Sequence, residues 1–600
     1  MAWRRPEGVW QGRLSSSALS TATAVFALAT ADKKGCRPLI RSGLKWLAEN
    51  SNADGGWGDT VLSPSNISTT LLVWSAFAAA EDANPHEQQI IARAEAWLVR
   101  YAGSLDPDDL VSAVIRRYGK DRTFAVPILT MCALAGRLGS PAEAWRQIPA
   151  LPFELAACPR RWLRMLRLHV VSYALPALIA IGQVHYHHRR PRNPLTRVLR
   201  RLVRNKTLDL LRSIQPADGG FLEAIPLTSF VVLSLAAAGQ KNHAVVHKGV
   251  EFLTSSMGDD GSWPIDKNLT TWVTTLSVNA LAVGPDFSQH LPSEQQKTIR
   301  DWLLAQQHRE THPFTHADPG GWAWTDLSGG VPDADDTAGA LLALRNLGPI
   351  DDRVIDAAAT GVRWLLDLQN RDGGIPTFCR GWGKLPFDRS SPDLTAHALL
   401  ALATWQDDLP ASSRKRTRAA VSAGLTYLAR VQRSDGAWVP LWFGNALAES
   451  EQNPTYGTAR VLCALHGLGK DPEARVNRML AKGLHWLVSA QNPDGGWGGA
   501  PSVPSSIEET AVTVDALARV LTDASTQTIH ALTQWSLDSD RVKTAVLSGA
   551  GWLIEHTDKG TSFPPSPIGL YFARLWYFER LYPVSFAVSA LERVASCGVL

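Results

Sequence analysis

The sequence predicts an all-α protein whose helix pairs close into two α/α barrels. Three observations carry this reading. First, one pattern recurs along the chain: a small residue or Gly, an aromatic–Leu pair, then Asp-Gly-Gly-Trp or a relative of it. Second, strand-type alternation is nearly absent, whereas apolar helical stretches such as Thr337–Leu347, Leu394–Trp405, Ala459–Leu468 and Thr510–Val520 lie between the copies. Third, 600 residues exceed one ordinary core and suit two large domains or one repeat array.

Taken in order, Ala18–Ala31 is apolar and follows Arg4, Arg5 and Arg13, the outline of a signal peptide. Ser20, Thr21 and Thr23 interrupt it and the helical pattern resumes in Leu44-Lys45-Trp46-Leu47, so it is read as the first core helix. The clearest repeats run from Gly43 to Trp57 and from Gly483 to Trp497, with close variants at Gly249–Trp263, Gly361–Ile375 and Gly424–Trp438. Weaker copies end at Phe221, Trp322 and Phe563. From Trp263 onward the copies fall roughly 55–65 residues apart, room for two helices and their turns. Repeats are dense after about residue 250 and sparser before it, which argues for two barrels.

Within a unit the aromatic–Leu pair sits on an amphipathic helix. A Gln near its end, such as Gln369 or Gln491, is placed to satisfy free carbonyls there. Asp-Gly-Gly makes a tight turn in which Gly supplies positive φ. The closing Trp folds over the turn and clamps neighbouring helices, so the repeat tryptophans are read as structural staples.

The composition narrows the function. The chain is 45% hydrophobic and 19% charged, as a globular protein is, and a net charge of +4 makes no case for nucleic acid. Basic residues are nevertheless clustered: Arg160, Arg161, Arg164 and Arg167 form one group, and Arg189, Arg190, Arg192, Arg197, Arg200, Arg201, Arg204 and Lys206 another. These read as solvated helix faces or as contacts to anionic lipid headgroups. The six cysteines are scattered without a Cys-x-x-Cys pair, which suggests reduced thiols in the cytosol. No run of ~18 apolar residues is long enough to span a membrane.

The segment Asp333-Ala334-Asp335-Asp336-Thr337-Ala338 places three carboxylates in four positions directly ahead of the apolar run Ala340–Leu344. A charge run by itself reads as a solvated face. This one lies between Trp-rich segments of a repeating sequence, and there it reads as chemistry. It resembles the Asp-x-Asp-Asp-Thr-Ala motif of squalene–hopene cyclases and other class II terpene cyclases, and the Asp-Gly-Gly-Trp repeats resemble the QW motifs of triterpene cyclases.

The resemblance implies two toroidal α/α-barrel domains with QW-type repeats and a central apolar cavity. Residues 15–260 would form the domain with sparser repeats, and residues 1–14 with 261–600 the catalytic domain. It implies cyclisation of a linear polyprene, squalene or a squalene-like C30 chain, begun by protonating a terminal alkene. No metal or organic cofactor would be needed, with Mg2+ entering only if the substrate is a prenyl diphosphate. The expected partners are the apolar polyprene, the inner face of the cell membrane to which the enzyme attaches from the cytoplasm, and a second copy in a homodimer; nucleic acid is not expected. Carried over by motif, Asp335 would be the proton donor, flanked by Asp333 and Asp336, with His397 of Thr395-Ala396-His397 as its partner and Tyr456 in proton return. Trp272, Trp324, Phe378, Trp438, Trp442, Phe563, Tyr571, Phe578 and Tyr173 would bind substrate through their rings. Aromatic faces stabilise a cation by about 0.5–2 kcal/mol each without acting as nucleophiles.

The sequence also departs from the family. Leu72 stands where a Glu lining the far end of the cavity is expected, Val273 follows Trp272 where the family has Asp, and Glu508-Glu509 replace Ser and Gln. The loop Cys379–Arg389 is short and basic; its Arg380, Lys384 and Arg389 would hold a polar head if the substrate were a prenyl diphosphate such as geranylgeranyl diphosphate, the second reading. Asp351-Asp352-Arg353-Val354-Ile355-Asp356 has one residue too many for the Asp-Asp-x-x-Asp motif of ionisation-initiated cyclases. A protein prenyltransferase subunit would need an Asp, Cys and His zinc set, and none is legible.

Overall fold

A computed structural model describes residues 3–80, 84–119, 122–158, 170–468, 474–522, 539–572 and 574–598. The Arg160, Arg161, Arg164 and Arg167 cluster lies outside the described residues. The described residues are mostly helical, with three two-stranded ribbons among them, and their helices form two rings. In the first, α1 (Ala18–Asp32), α2 (Ile67–Ala76), α3 (Arg122–Leu134), α4 (Val170–His188) and α5 (Ile225–Ala237) each pack on the next, and α5 closes on α1. In the second, α6 (Thr270–Leu281), α7 (Ala334–Asn346), α8 (Pro392–Trp405), α9 (Pro454–Gly467), α10 (Ile507–Thr522) and α11 (Leu581–Ser596) pack in the same order, and α11 closes on α6.

The sequence sorts inner from outer helices. α5 reads Ile-Pro-Leu-Thr-Ser-Phe-Val-Val-Leu-Ser-Leu-Ala-Ala and is buried along nearly its whole length, as a helix apolar on all sides must be. The outer helix Asp352–Leu368 instead buries one stripe, including Val354, Ala358, Val362 and Leu365. Outer helices thus cover the inner ring and face water with their polar side.

The repeats join the layers. The Trp57, Trp263, Trp322, Trp438 and Trp497 indoles donate to the carbonyls of Leu47, Leu253, Leu303, Leu428 and Leu487 at 2.7–2.9 Å, each in the last turn of an outer helix where carbonyls lack helical partners. The backbone N–H of Trp497 then donates to Thr510 Oγ1 of α10, 2.9 Å away, and that of Trp438 to Thr458 Oγ1 of α9 at 3.0 Å. The glutamines reach further than the sequence indicated: Gln491 Nε2 donates to Gly495 O in its own turn (2.8 Å) and to Ala545 O of the next outer helix (3.1 Å). Gly495 sits at φ +91°, the conformation the turn requires.

The N-terminal segment belongs with the second ring. Trp10 exchanges hydrogen bonds with Thr274 Oγ1 at 3.0–3.1 Å, and Ser15 N–H donates to Phe578 O at 2.9 Å. Two further ties cross between the rings. Arg117 forms a bidentate pair with Glu451 at 2.7–2.8 Å, and the Trp576 N–H donates to the buried Asp59 at 2.9 Å. No helix among the described residues is long and apolar enough to cross a membrane.

Candidate active site

The three carboxylates sit at the N-terminus of α7. Asp333 is its N-cap: its N–H donates to Trp322 O at 3.0 Å, and its Oδ1 accepts from the backbone N–H groups of Asp335 (3.0 Å) and Asp336 (2.9 Å). Asp335 and Asp336 therefore occupy the first turn, where the helix dipole favours negative charge. Gly339 lets α7 lie close to α6, since a Cβ there would meet Thr275 Oγ1 at 2.9 Å. Asp333 and Asp336 are buried. Burial pushes the Asp333 carboxyl up to about 7, and burial together with the charges of Asp333 and Asp335 pushes Asp336 well above the carboxylate range. The pair thus retains a proton at neutral pH.

Asp335 is less buried and faces two ways. Its Oδ1 lies 2.5 Å from Nδ1 of His397, one turn into α8, and its carboxyl lines an apolar chamber. Ser391 hydrogen-bonds the buried Asp393 at the start of α8, and burial raises that carboxyl to about 6. On its other side His397 lines a polar recess with Arg460, Cys463, Asp515, Arg519 and Arg593, which reaches the exposed Asn346. Trp272 walls both spaces, its ring 6.4 Å from that of His397.

Two adjoining chambers, both lined mainly by apolar side chains, meet here. The near chamber contains the three carboxylates and is walled by Trp272, Trp324, Phe378, Trp442 and Tyr571. The far chamber lies between the rings, lined by Leu72, Phe124, Ile128, Tyr173, Leu222 and Phe230 among others. Tyr571 and Phe572 wall both. The rings touch in series: Trp324 to Phe378 (6.1 Å between centroids), Phe378 to Tyr173 (5.3 Å), Tyr173 to Phe387 (5.5 Å) and Phe387 to Phe572 (5.4 Å). Trp442 is fixed by its indole, which donates to Thr377 Oγ1 at 2.6 Å.

Several expected positions lie elsewhere. Trp438 lines neither chamber: it is wholly buried and is the closing Trp of its own repeat, bonded to Leu428. Phe563 occupies the corresponding place after the last outer helix, and Phe578 packs beneath Ser15; neither lines a chamber. Tyr456 stands one ring behind the wall, stacked on Phe443 at 4.0 Å. Arg380, Lys384 and Arg389 are exposed and line neither chamber; Arg380 borders a surface depression whose floor includes Tyr173, Phe378 and Cys379. Glu508 is buried and lines neither chamber; its side chain accepts from Ser566 N–H at 2.7 Å.

Phe387, Phe443, Phe572 and Tyr577 are wall residues that the sequence reading passed over. Phe443 and Phe572 directly follow Trp442 and Tyr571, so the aromatic doublets were the available signal. Asp266, which hydrogen-bonds two wall residues, had no signal beyond its place three residues after a repeat Trp.

Known proteins share sequence and fold with this chain. Residues 2–71 and 268–596 match the squalene-hopene cyclase C-terminal domain. The chain is 25% identical to enfumafungin synthase of Hormonema carpetanum over 99% of its own length and 50% of that protein, so it spans half the length of this relative. It is 25% identical to the squalene–hopene cyclase of Alicyclobacillus acidocaldarius over 78% of this chain and 77% of that one. Among solved structures, ent-copalyl diphosphate synthase from Streptomyces platensis shares the fold with a TM-score of 0.60 and 19% identity, covering 98% and 96% of the two chains. The matched stretches hold the acid triad, His397 and all of the near chamber's wall, and on that match the chain belongs to the squalene–hopene cyclase family of class II terpene cyclases.

Proposed function

We propose that the chain cyclises a linear C30 polyprene, squalene or a close relative, by protonating a terminal alkene. The observation that carries this is the Asp335–His397 contact of 2.5 Å at the wall of an aromatic chamber. In this reading His397 Nδ1–H donates to Oδ1, and the other oxygen of Asp335 carries the proton that reaches the alkene. His397 and the α7 N-terminus stabilise the carboxylate left behind, which makes the acid stronger. Asp333 and Asp336 position Asp335 and keep a proton within the triad. Protons return from solvent through the polar recess behind His397. Tyr456, the residue expected in proton return, stands behind Phe443 and does not line that recess. Trp272, Trp324, Phe378, Trp442 and Tyr571 hold the migrating cation through their faces.

The far chamber supports the hydrocarbon reading. Its described lining has no charged side chain, and Leu72 is part of it, so it favours a hydrocarbon end over a diphosphate. A hydrocarbon has no phosphate oxygens for Mg2+ to bind, and turnover would proceed without metal. The ring of α6–α11 together with the N-terminal segment carries the chemistry, and the ring of α1–α5 shapes the far end. The helix Pro194–Ile214 supports docking at a membrane from the cytoplasmic side: Leu195, Val198, Leu199 and Leu202, at 79, 56, 47 and 74% exposure, form one stripe beside Arg197 and Arg201.

Offering purified protein squalene and geranylgeranyl diphosphate separately, without metal, and identifying products by gas chromatography–mass spectrometry tests the proposal. Cyclised hydrocarbon or alcohol from squalene is expected. Cyclisation of the diphosphate alone would contradict it and transfer the function to the second reading, with Arg380 at the surface depression as a headgroup contact.

A further inference from the structure

Behind the wall shared by the two chambers stands a carboxylate that lines neither. Asp266 is fully buried, and its Oδ2 accepts the Tyr571 hydroxyl at 2.5 Å and the Trp324 indole N–H at 3.0 Å, while Oδ1 accepts the Asn268 N–H at 3.3 Å. Its two side-chain donors are cavity rings: Trp324 walls the near chamber and Tyr571 both. The same hydroxyl lies 3.1 Å from the carbonyl of Leu222, whose side chain lines the far chamber. Leu222 and Glu223 both adopt left-handed backbone, at φ +56° and +55°, which is strained for non-glycine residues and marks a site held by its surroundings. Ala224 pairs antiparallel with Asp266, so this node ties the first ring to the second where the chambers meet.

Of the two carboxyls in the node, Asp266 has the more side-chain donors and is the one that ionises in part at neutral pH. Burial and the neighbouring Asp218 push Glu223 up to about 10 and keep it neutral, whereas Tyr571 and Trp324 hold Asp266 to about 7 against the same burial. A carboxylate in contact with a carbocation would capture it or remove a proton, but one placed behind the rings cannot touch it. A negative carboxylate that accepts hydrogen bonds from a phenol O–H and an indole N–H also makes those ring faces richer in electrons, which is what a passing cation binds.

We propose that Asp266 is a screened counter-ion for the carbocation, acting through Tyr571 and Trp324 to stabilise positive charge at the junction of the chambers without reaching it. This rests on the cyclase reading above. Asp266 is a positioning residue: no bond forms to it, and its effect is on how far the cation travels. The Asp266→Asn variant keeps an acceptor oxygen and the volume and removes the charge. With squalene as substrate, its ratio of partly to fully cyclised product is expected to rise about tenfold, the equivalent of ~1.4 kcal/mol of lost cation stabilisation, while squalene continues to be consumed. A folded Asp266→Asn protein, judged by circular dichroism melting, with an unchanged product ratio would overturn the inference, because a merely structural role moves stability and not the ratio. Should that variant not fold, Tyr571→Phe breaks the link from ring to carboxylate; a shift in the same direction supports the inference and an unchanged ratio overturns it. Wild-type protein giving no cyclised product would overturn the cyclase reading itself.

Discussion

Asp335 lines the apolar chamber and its partner His397 the polar recess behind it; in the proposed reaction the first receives the alkene and the second returns the proton. His397 separates them, and at the helix start the Asp335 and Asp336 N–H groups donate to Asp333 Oδ1 and fix the Asp333 carboxyl. The proton held by this triad sets a pH limit. Burial holds Asp333 up to about 7, so turnover is expected to fall as pH rises through about 7, where the triad loses the first of its protons while Asp336 keeps its own; initial rates across about pH 5–9 check this. Replacing His397 by Ala is expected to lower turnover by about 10²-fold or more, the range of a lost proton-transfer partner, with little change in KM. The acid motif and His397 were legible because they are contiguous in sequence and carry a recognisable order. Asp266 was not, because its role comes from contacts to Trp324 and Tyr571, 58 and 305 residues away.

At the scale of the repeat, position outweighs residue type. Trp438 and Trp442 are four residues apart, and the sequence reading gave both a place at the substrate; the structure separates them. Trp438 closes a repeat and caps the outer helix ending at Val431, while Trp442 lies beyond the turn, bonded to Thr377 at the chamber wall. The Trp438→Ala variant is therefore expected to cost ~3–5 kcal/mol of stability, as for other buried large-to-Ala changes, and to leave the product unchanged in whatever enzyme stays folded. Thermal melting and product analysis read the two effects separately. The repeat's period and turn chemistry made the helix layout legible, whereas the facing of each loop aromatic depends on the second ring and is not written locally. The basic helix Pro194–Ile214 makes a different prediction. Changing Leu195 and Leu202 to Ser is expected to reduce cosedimentation with anionic phospholipid vesicles several-fold, since the exposed stripe supplies the buried apolar area, and to leave melting nearly unchanged.

Over the whole molecule, the two closed rings bury several carboxyls whose ionisation burial opposes. Burial lifts Asp333, Asp266, Glu509 and Glu579 to about 7, Glu508 to about 8 and Asp393 to about 6, all above their unfolded values. In each case the folded state holds its proton longer than the unfolded one, so the stability is present below pH ~4 and is lost as pH rises towards 6–8. His308 and His312, lowered to about 4 by burial, act in the opposite direction below about pH 6.5, but they are outnumbered. Scanning calorimetry is expected to give a higher Tm at about pH 5.5 than at about pH 8. The two-ring architecture was legible from repeat density and from apolar helices between the copies, while the chamber between the rings was not, because Leu72, Tyr173, Leu222 and Tyr571 meet only after both rings close. The central claim is that Asp335 delivers a solvent-derived proton to the alkene of a C30 hydrocarbon. Running the reaction with squalene in heavy water and reading the product by mass spectrometry tests it most directly. One deuterium per initiating event in a cyclised product, with no product from the Asp335→Asn variant, is the predicted result; a cyclised product carrying no deuterium, or undiminished turnover by that variant, would contradict it.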